Sequence, residues 1–459
     1  MSMPGARPPA GAAGTSSGTP MALPMPMRMP MAMPMDSVTS TTLPGGRITP
    51  PPGVPATPLS ELEGLAVRTN PTLVQARAQV DASLSKSLQA GLLPNPIAGY
   101  VSEQMGTGGG PGETQGWFAE QEIPRGGKLR LSRAKYRQEA AQAQIQVQAQ
   151  TLRVINDVRI SYFEVLAAQR MLAVERHLLT NFEEMARTTR ELVNVGQANR
   201  PDLLQAQVAV QRQRVKVRAA ENRLRKSRVD LATVIGVPEL PFEALEDDLE
   251  REGPPLEWDA ALHQILTCSP EIQVARAEVL RDEITVRRER VQPVPNIFTR
   301  VENGYNFEEN AVTTGVQVGW SLPILNRNQG TIREAMAEVT RARAEVARLE
   351  LVLRHRLAET FTHYQTALAT VQVYRDETLP QAREAYELTL RSYRQRRTPW
   401  VHVVTAERTY SDVNEEYLEA LLELRRTEVA IRGMLLVGGL SLPEPPTPGG
   451  HIDATPQPR

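Results

Sequence analysis

The most regular feature of the chain is an alternation of three- and four-residue steps between apolar positions. Leu203, Ala206, Val210, Gln213, Val217, Ala220, Leu224, Ser227, Leu231 and Val234 follow one another in this way. Val403, Ala406, Tyr410, Val413, Tyr417, Ala420, Leu424, Thr427, Ile431 and Met434 repeat them at an offset of 200 residues. A sustained spacing of this kind gathers one stripe of a helix against a partner, and it predicts long helices packed along a coiled-coil seam. Upstream, Val158, Tyr162, Val165, Gln169, Leu172 and Arg176 are matched by Leu357, Phe361, Tyr364, Leu368, Val371 and Arg375 at an offset of 199. The offset changes between residues 180 and 202, which places a turn there and not a helix.

The chain-breaking residues mark the same duplication. Asn70-Pro71 recurs as Ser269-Pro270, Pro94-Asn95-Pro96 as Pro293-Val294-Pro295-Asn296, and Ile123-Pro124 as Leu322-Pro323. Repeats of this length decide the architecture before any single element does. Each half reads as helix, strand pair, long helix, turn, helix. The first helices are expected over 59–92 and 258–292, each stopping before a proline that would remove a hydrogen bond and clash. Strands are expected over 97–105 and 115–123 around the glycine-rich stretch 106–110, and over 297–306 and 312–322. Val312, Thr314, Val316, Val318 and Trp320 alternate along the last of these. Ten-residue alternation of this type fits a membrane-barrel strand, and it also fits an ordinary surface hairpin. Long helices are expected over 128–195 and 330–394. At about 1.5 Å per residue each would reach roughly 100 Å, a length suited to a rod or a tunnel.

Composition divides the chain further. Residues 1–58 are rich in Pro, Gly and Met and are expected to be disordered, as is the tail 442–459. The first repeat spans 59–236, a linker with the acidic run Glu246-Asp247-Asp248 spans 237–256, and the second repeat spans 257–441. The 52 Lys+Arg against 53 Asp+Glu leave a net charge of −1. That balance argues against nucleic acid as a partner, because phosphate binding needs a basic surface. The one cysteine, Cys268, excludes an intrachain disulfide and a cysteine-based zinc site, and it is expected to be a small buried residue. No run of 18 apolar residues predicts a membrane-spanning helix. Residues 1–20 lack the basic start and apolar core of a secretion signal.

Enzymatic chemistry finds no support. The chain has no glycine-rich phosphate loop, nucleophile elbow or His-Glu-x-x-His, and no cofactor is expected. Carboxylate pairs such as Glu183-Glu184 are helix neighbours that do not converge. The six histidines are scattered, and His355 and His363, which could share a helical face, are expected to be solvated. Met21, Met25, Met27, Met29, Met31, Met33 and Met35 place seven thioethers in fifteen residues. Such soft donors suit Cu(I); the other reading is a low-complexity leader.

Taken together, Leu92-Leu93-Pro94-Asn95-Pro96, Gln121-Glu122-Ile123-Pro124-Arg125-Gly126-Gly127-Lys128, Ser321-Leu322-Pro323 and Thr405-Ala406-Glu407-Arg408-Thr409-Tyr410 resemble the TolC-like outer-membrane efflux protein family, in particular its heavy-metal branch of the CzcC and CusC type. The resemblance covers about residues 59–440. It implies a mainly α fold with four strands per protomer, a homotrimer closing a twelve-stranded barrel in outer-membrane lipid, and an α-helical tunnel into the periplasm. It further implies a passive export conduit for metal ions or small molecules, loaded by a periplasmic adaptor protein and an inner-membrane pump of the resistance-nodulation-division type. A soluble coiled-coil scaffold whose hairpins are mere connectors is the alternative.

In such a family the helix–turn–helix tips gate the tunnel and dock the adaptor. The first tip, 195–204, matches the family pattern at Gly196 and Asp202, and includes Val195, Leu203 and Leu204. Gly196 permits a positive φ at a helix end, and Asp202 is placed to cap the next helix; capping alone would also explain both. The second tip departs from the pattern. Arg396 stands where the first has Gly196, and His402 where it has Asp202. Arg394, Arg396, Arg397 and Trp400 complete this candidate site, its arginines serving either an acidic partner or simply the helix dipole.

Overall fold

The computed structural model describes residues 58–103, 114–196, 199–239, 245, 249–251, 253–395 and 397–441. The first expected helix is two helices, α1 (Leu59–Thr69) and α2 (Pro71–Gln89). Pro71 disfavours a helical conformation at the preceding residue, and Asn70 adopts φ −65°, ψ 123°. Its side chain converts the break into a cap. Oδ1 accepts from the Thr72 N–H at 2.9 Å, and Nδ2 donates to the Val234 carbonyl at 2.8 Å. The second repeat breaks in the same place, between α5 (Trp258–Cys268) and α6 (Pro270–Val291). Cys268 is exposed, contrary to expectation, because α5 ends there and burial passes to Ser269 and Pro270.

Strands β1 (Ile97–Glu103), β2 (Thr114–Ile123), β3 (Ile297–Asn306) and β4 (Ala311–Trp320) form one antiparallel sheet in the order β1-β2-β3-β4. The two repeats therefore meet at its centre, with Ala119 opposite Val301 and Gly116 opposite Gly304. A Cβ on Gly116 would sit 2.1 Å from the Asn303 carbonyl oxygen, so that crossing requires glycine. One face carries the exposed Trp117, Val316, Val318 and Trp320. On the other, Arg300 lies over the Phe118 ring at 4.4 Å. Apolar outside and polar inside is the pattern of a membrane barrel. The glycine-rich stretch 106–110 lies outside the described residues.

Below the sheet α3 (Lys128–Asn194) runs unbroken for 67 residues and turns back into α4 (Arg200–Ile235). Its counterpart does not run unbroken. It comprises α7 (Gln329–Val373), a π-helical turn at Tyr374–Thr378, and α8 (Leu379–Arg394), followed by α9 (Trp400–Arg432). Pro380 explains the difference, since it cannot donate to a regular helical bond and its ring crowds the carbonyl four residues back. The second repeat thus carries a π-helical interruption that the first lacks.

All ten seam positions of α4 except Leu203 are buried, as the spacing predicts. Helix α3 is the organising element, packing against α2, α4, α6 and α9, while α7 packs against α6 and α9. The upper core joins Leu62, Leu73, Tyr162, Leu231, Leu357 and Tyr417; a separate lower core near the tips joins Phe182, Met185, Val210, Tyr386, Trp400 and Tyr410. Gly236 ends α4 at φ +87°, and a Cβ there would lie 2.9 Å from the Thr69 carbonyl oxygen. Between the repeats the described positions are tied down. Leu245 and Leu249 are buried, the Arg425 guanidinium donates to the Leu249 carbonyl at 3.0 Å, and Arg170 pairs with Glu250 at 2.6 Å.

Candidate functional site

The first tip is a tight reversal. Val195 closes α3 through its N–H to the Glu191 carbonyl at 3.2 Å, and Gly196 follows at φ +71°, donating to the Val193 carbonyl at 3.0 Å. A Cβ on Gly196 would meet no atom within 4 Å, so the glycine serves backbone conformation and not close packing. The N-cap position expected of Asp202 falls on Asn199, whose side chain makes no capping hydrogen bond. Asn199 occupies the N-cap with extended φ/ψ, Pro201 lies in the first turn, and Asp202 is the acidic residue of that turn. A carboxylate in that turn is favoured by the partial positive charge of the helix N-terminus. Leu203 is half-buried, and Leu204 is exposed.

The second tip is built around Trp400, the first residue of α9, which is only 5 % exposed. It packs edge-on against Phe182 of α3 with ring centroids 6.2 Å apart, and against Tyr393 of α8 at 5.4 Å. The Tyr393 hydroxyl in turn lies 2.9 Å from Thr189 Oγ1 of α3. Arg394 reaches Glu184 of α3 at 3.5 Å, with both side chains about half exposed. Arg397 holds the turn through its N–H to the Ser392 carbonyl at 2.9 Å, and His402 is exposed. The structure therefore brings Trp400 and Arg394 onto α3, while Val195, Leu204 and His402 face outward. Arg396 and Met21, Met25, Met27, Met29, Met31, Met33 and Met35 lie outside the described residues. Among the described residues, no group of three or more His, Cys, Asp or Glu side chains could hold a metal ion, and no helix is long and apolar enough to cross a membrane.

Sequence reasoning missed two features above the tips. One is aromatic: Tyr386 of α8 stacks on Tyr410 of α9 with centroids 5.7 Å apart and planes 1° from parallel. Burial pushes the Tyr386 phenol up to about 12, opposed by its hydrogen bond from Asn181. Tyr410 was legible as a seam position, but Tyr386 belongs to no stated register. The other is polar. Gln213 of α4 donates to Glu175 of α3 at 2.5 Å, Lys216 donates to Ser411 of α9 at 3.1 Å, and Lys216 stands 3.7 Å from Glu407. Burial raises the Glu407 carboxyl above its ordinary value; Lys216 opposes this and the nearby Glu175 adds to it. Glu407 also lines a groove of about 750 Å³ between α4 and α9, whose apolar wall includes Phe182, Leu204, Val208 and Trp400. No sequence periodicity marks Glu407, since it sits beside the seam and not on it.

The sequence profile described as outer membrane efflux protein matches residues 63–237 and 261–435, one copy in each repeat. The chain belongs to the outer membrane efflux protein family. As such it resides in the outer membrane and reaches into the periplasm, as the channel component of tripartite efflux; the soluble scaffold alternative is not favoured. Among relatives, the cobalt-zinc-cadmium resistance protein CzcC of Cupriavidus metallidurans is 24 % identical over 369 residues, spanning 78 % of this chain and 84 % of that one. The pyoverdine export outer membrane protein OpmQ of Pseudomonas putida is 22 % identical over 344 residues, 70 % of this chain and 69 % of that one. The open-state MtrE outer membrane channel of Neisseria gonorrhoeae superposes with a TM-score of 0.69 at 18 % identity, covering 84 % of this chain and 90 % of that one. In this efflux protein the four-stranded sheet and the long helices are thus the barrel and tunnel parts of the family fold.

Proposed function

We propose that three copies of this efflux protein form a passive conduit for metal ions, receiving them from a periplasmic adaptor protein and an inner-membrane pump of the resistance-nodulation-division type. The observation that carries the reading is the family match over both repeats, joined to likeness along most of the chain to a protein named for cobalt, zinc and cadmium resistance. In this reading the pump that loads the conduit sets its selectivity. Small molecules are the second cargo reading, favoured by the likeness to a pyoverdine exporter.

The helix tips are the regulated end in this proposal. Arg394 and Arg397 of the second tip, with Val195, Gly196, Asp202, Leu203 and Leu204 of the first, form the mouth that the adaptor meets. Cells lacking the protein should accumulate cobalt, zinc or cadmium, and reintroducing the chain should reverse it. Reversing charge at Arg394 and Arg397 should impair export while leaving the protein folded. Both side chains are solvated, and exposed pairs such as Arg394–Glu184 contribute about 0–1 kcal/mol. Metal accumulation that does not respond to the gene would overturn the metal reading and leave the small-molecule one.

A further inference from the structure

Two carboxyls are buried where the helical hairpins meet, beside the lower core. Glu175 of α3 is 3 % exposed and Glu407 of α9 is 5 % exposed. A carboxylate taken out of water needs donors or a counter-charge to stay ionised, and the two are served unequally. Glu175 accepts from Gln213 Nε2 of α4 at 2.5 Å and from the Ser411 hydroxyl of α9 at 3.4 Å. Glu407 Oε1 receives no hydrogen bond among the described residues. The cation facing it, the partly exposed Lys216 of α4, donates to Ser411 at 3.1 Å and stays 3.7 Å from Glu407. One lysine therefore stands against two buried acids.

The other groups packed around Glu407 do not redress this. On α9, Arg408 is paired with Asp412 at 3.8 Å, and Asp412 adds a further negative charge. On α8, the facing phenol is Tyr386, which burial keeps neutral, and Arg383 is held by Glu387 at 2.9 Å. On α4, Arg212 stands exposed on the rim of the groove that Glu407 lines. The duplication does not repeat this layer. The counterparts of Glu175 and Lys216 are Tyr374 and Glu416, an exposed pair in which the hydroxyl donates to the carboxylate at 2.7 Å. The unbalanced acids thus sit at the joint that ties the tip of one repeat to the tip of the other.

We propose that Glu407 is an acid-operated latch on the tips: with its carboxyl protonated, α9 closes on α3 and α4 and the mouth stays shut, and with the carboxylate ionised, like charge against Glu175 and Asp412 loosens that joint and the mouth opens more readily. The latch rests on the reading of the tips as the regulated end of the conduit. Burial above all, with Glu175 adding and Lys216 opposing, raises the closed-state carboxyl above its ordinary value of 4.5, and an opened joint returns it to water. The closed form therefore keeps the proton over a pH window in which the open form has lost it. The latch is fully set below the ordinary value and is released as pH rises through the closed-state one. One proton per latch changes the opening ratio by at most about tenfold per pH unit within that window.

Conductance of the full chain, purified in detergent and reconstituted in planar lipid bilayers, tests the latch. Wild-type current should fall as pH is lowered from about 8 towards 4.5. Glu407→Gln, which fixes the neutral form, should give the low current at every pH. Two further substitutions should move the wild-type transition in opposite directions. Glu175→Gln removes the like charge and should shift it to lower pH; Lys216→Met removes the opposing charge and should shift it to higher pH. Residues that only packed the joint would not divide in this way. These shifts decide the matter even if Glu407→Gln does not fold, because shifts in one direction, or none, would overturn the latch. So would a wild-type current that ignores pH, or a Glu407→Gln channel that keeps the wild-type profile. Trp400→Ala tells the two readings apart. If it leaks while wild-type current ignores pH, the tips still gate and only the latch falls; if neither the substitution nor pH changes the current, the tips are not the gate.

Discussion

Replacing Trp400 with alanine tests whether the lower core holds the tips together. Trp400 is 5 % exposed and contacts Phe182 of α3 and Tyr393 of α8, so it joins the two helical hairpins across the tip. Removing a buried aromatic side chain of this size costs about 3–5 kcal/mol. The lower figure applies here, because the groove between α4 and α9 already borders the indole and leaves part of its surroundings free to relax. At about 1.4 kcal/mol per factor of ten, 3 kcal/mol raises the fraction of opened tips roughly a hundredfold. The loss stays local, since the lower core is distinct from the upper one that carries α1, α5 and the middle of α3. The expected result is a protein with nearly unchanged global unfolding but a leaky channel in planar lipid bilayers, and faster tryptic cleavage after Arg394 and Arg397. Wild-type conductance and wild-type protease resistance would refute the reasoning that this indole links the hairpins.

Gly236→Ala should lower the melting temperature, because the left-handed φ costs about 1–2 kcal/mol and the added Cβ meets the Thr69 carbonyl oxygen at 2.9 Å. Gly196→Ala, with open space around it, should cost only the backbone term, so differential scanning calorimetry should rank the two. Glu407→Gln should stabilise the tip hairpins at neutral pH. The folded carboxyl titrates above its unfolded value, so its contribution is full below that value and is lost as pH rises through the folded one. Hydrogen exchange of α9 should therefore show the variant more protected at pH 7 and converging with wild type below about pH 4. No difference at pH 7 would mean that Lys216 fully compensates the buried charge.

The sequence by itself determined the architecture. The seam residues of α4 and α9, the prolines at 71, 94, 124, 270, 293 and 323, and the alternation along β4 set element type, order and duplication, because helical and strand periods and proline's missing N–H are local properties. Tertiary structure decided what local rules cannot carry. Pro380 lies beyond the last stated seam position of its helix, Arg375, and there the helix continues through a π turn into α8, which packs on α9, instead of ending. Asp202 was legible as a residue of a helix start, but the chain path put Asn199 at the N-cap position and Asp202 in the first turn. Trp400, Phe182 and Tyr386 come from α9, α3 and α8, and Glu175, Lys216 and Glu407 from α3, α4 and α9. Their convergence depends on how hairpins far apart in the chain cross. Periodicity specifies which face of a helix is buried, and the fold alone specifies against which neighbour.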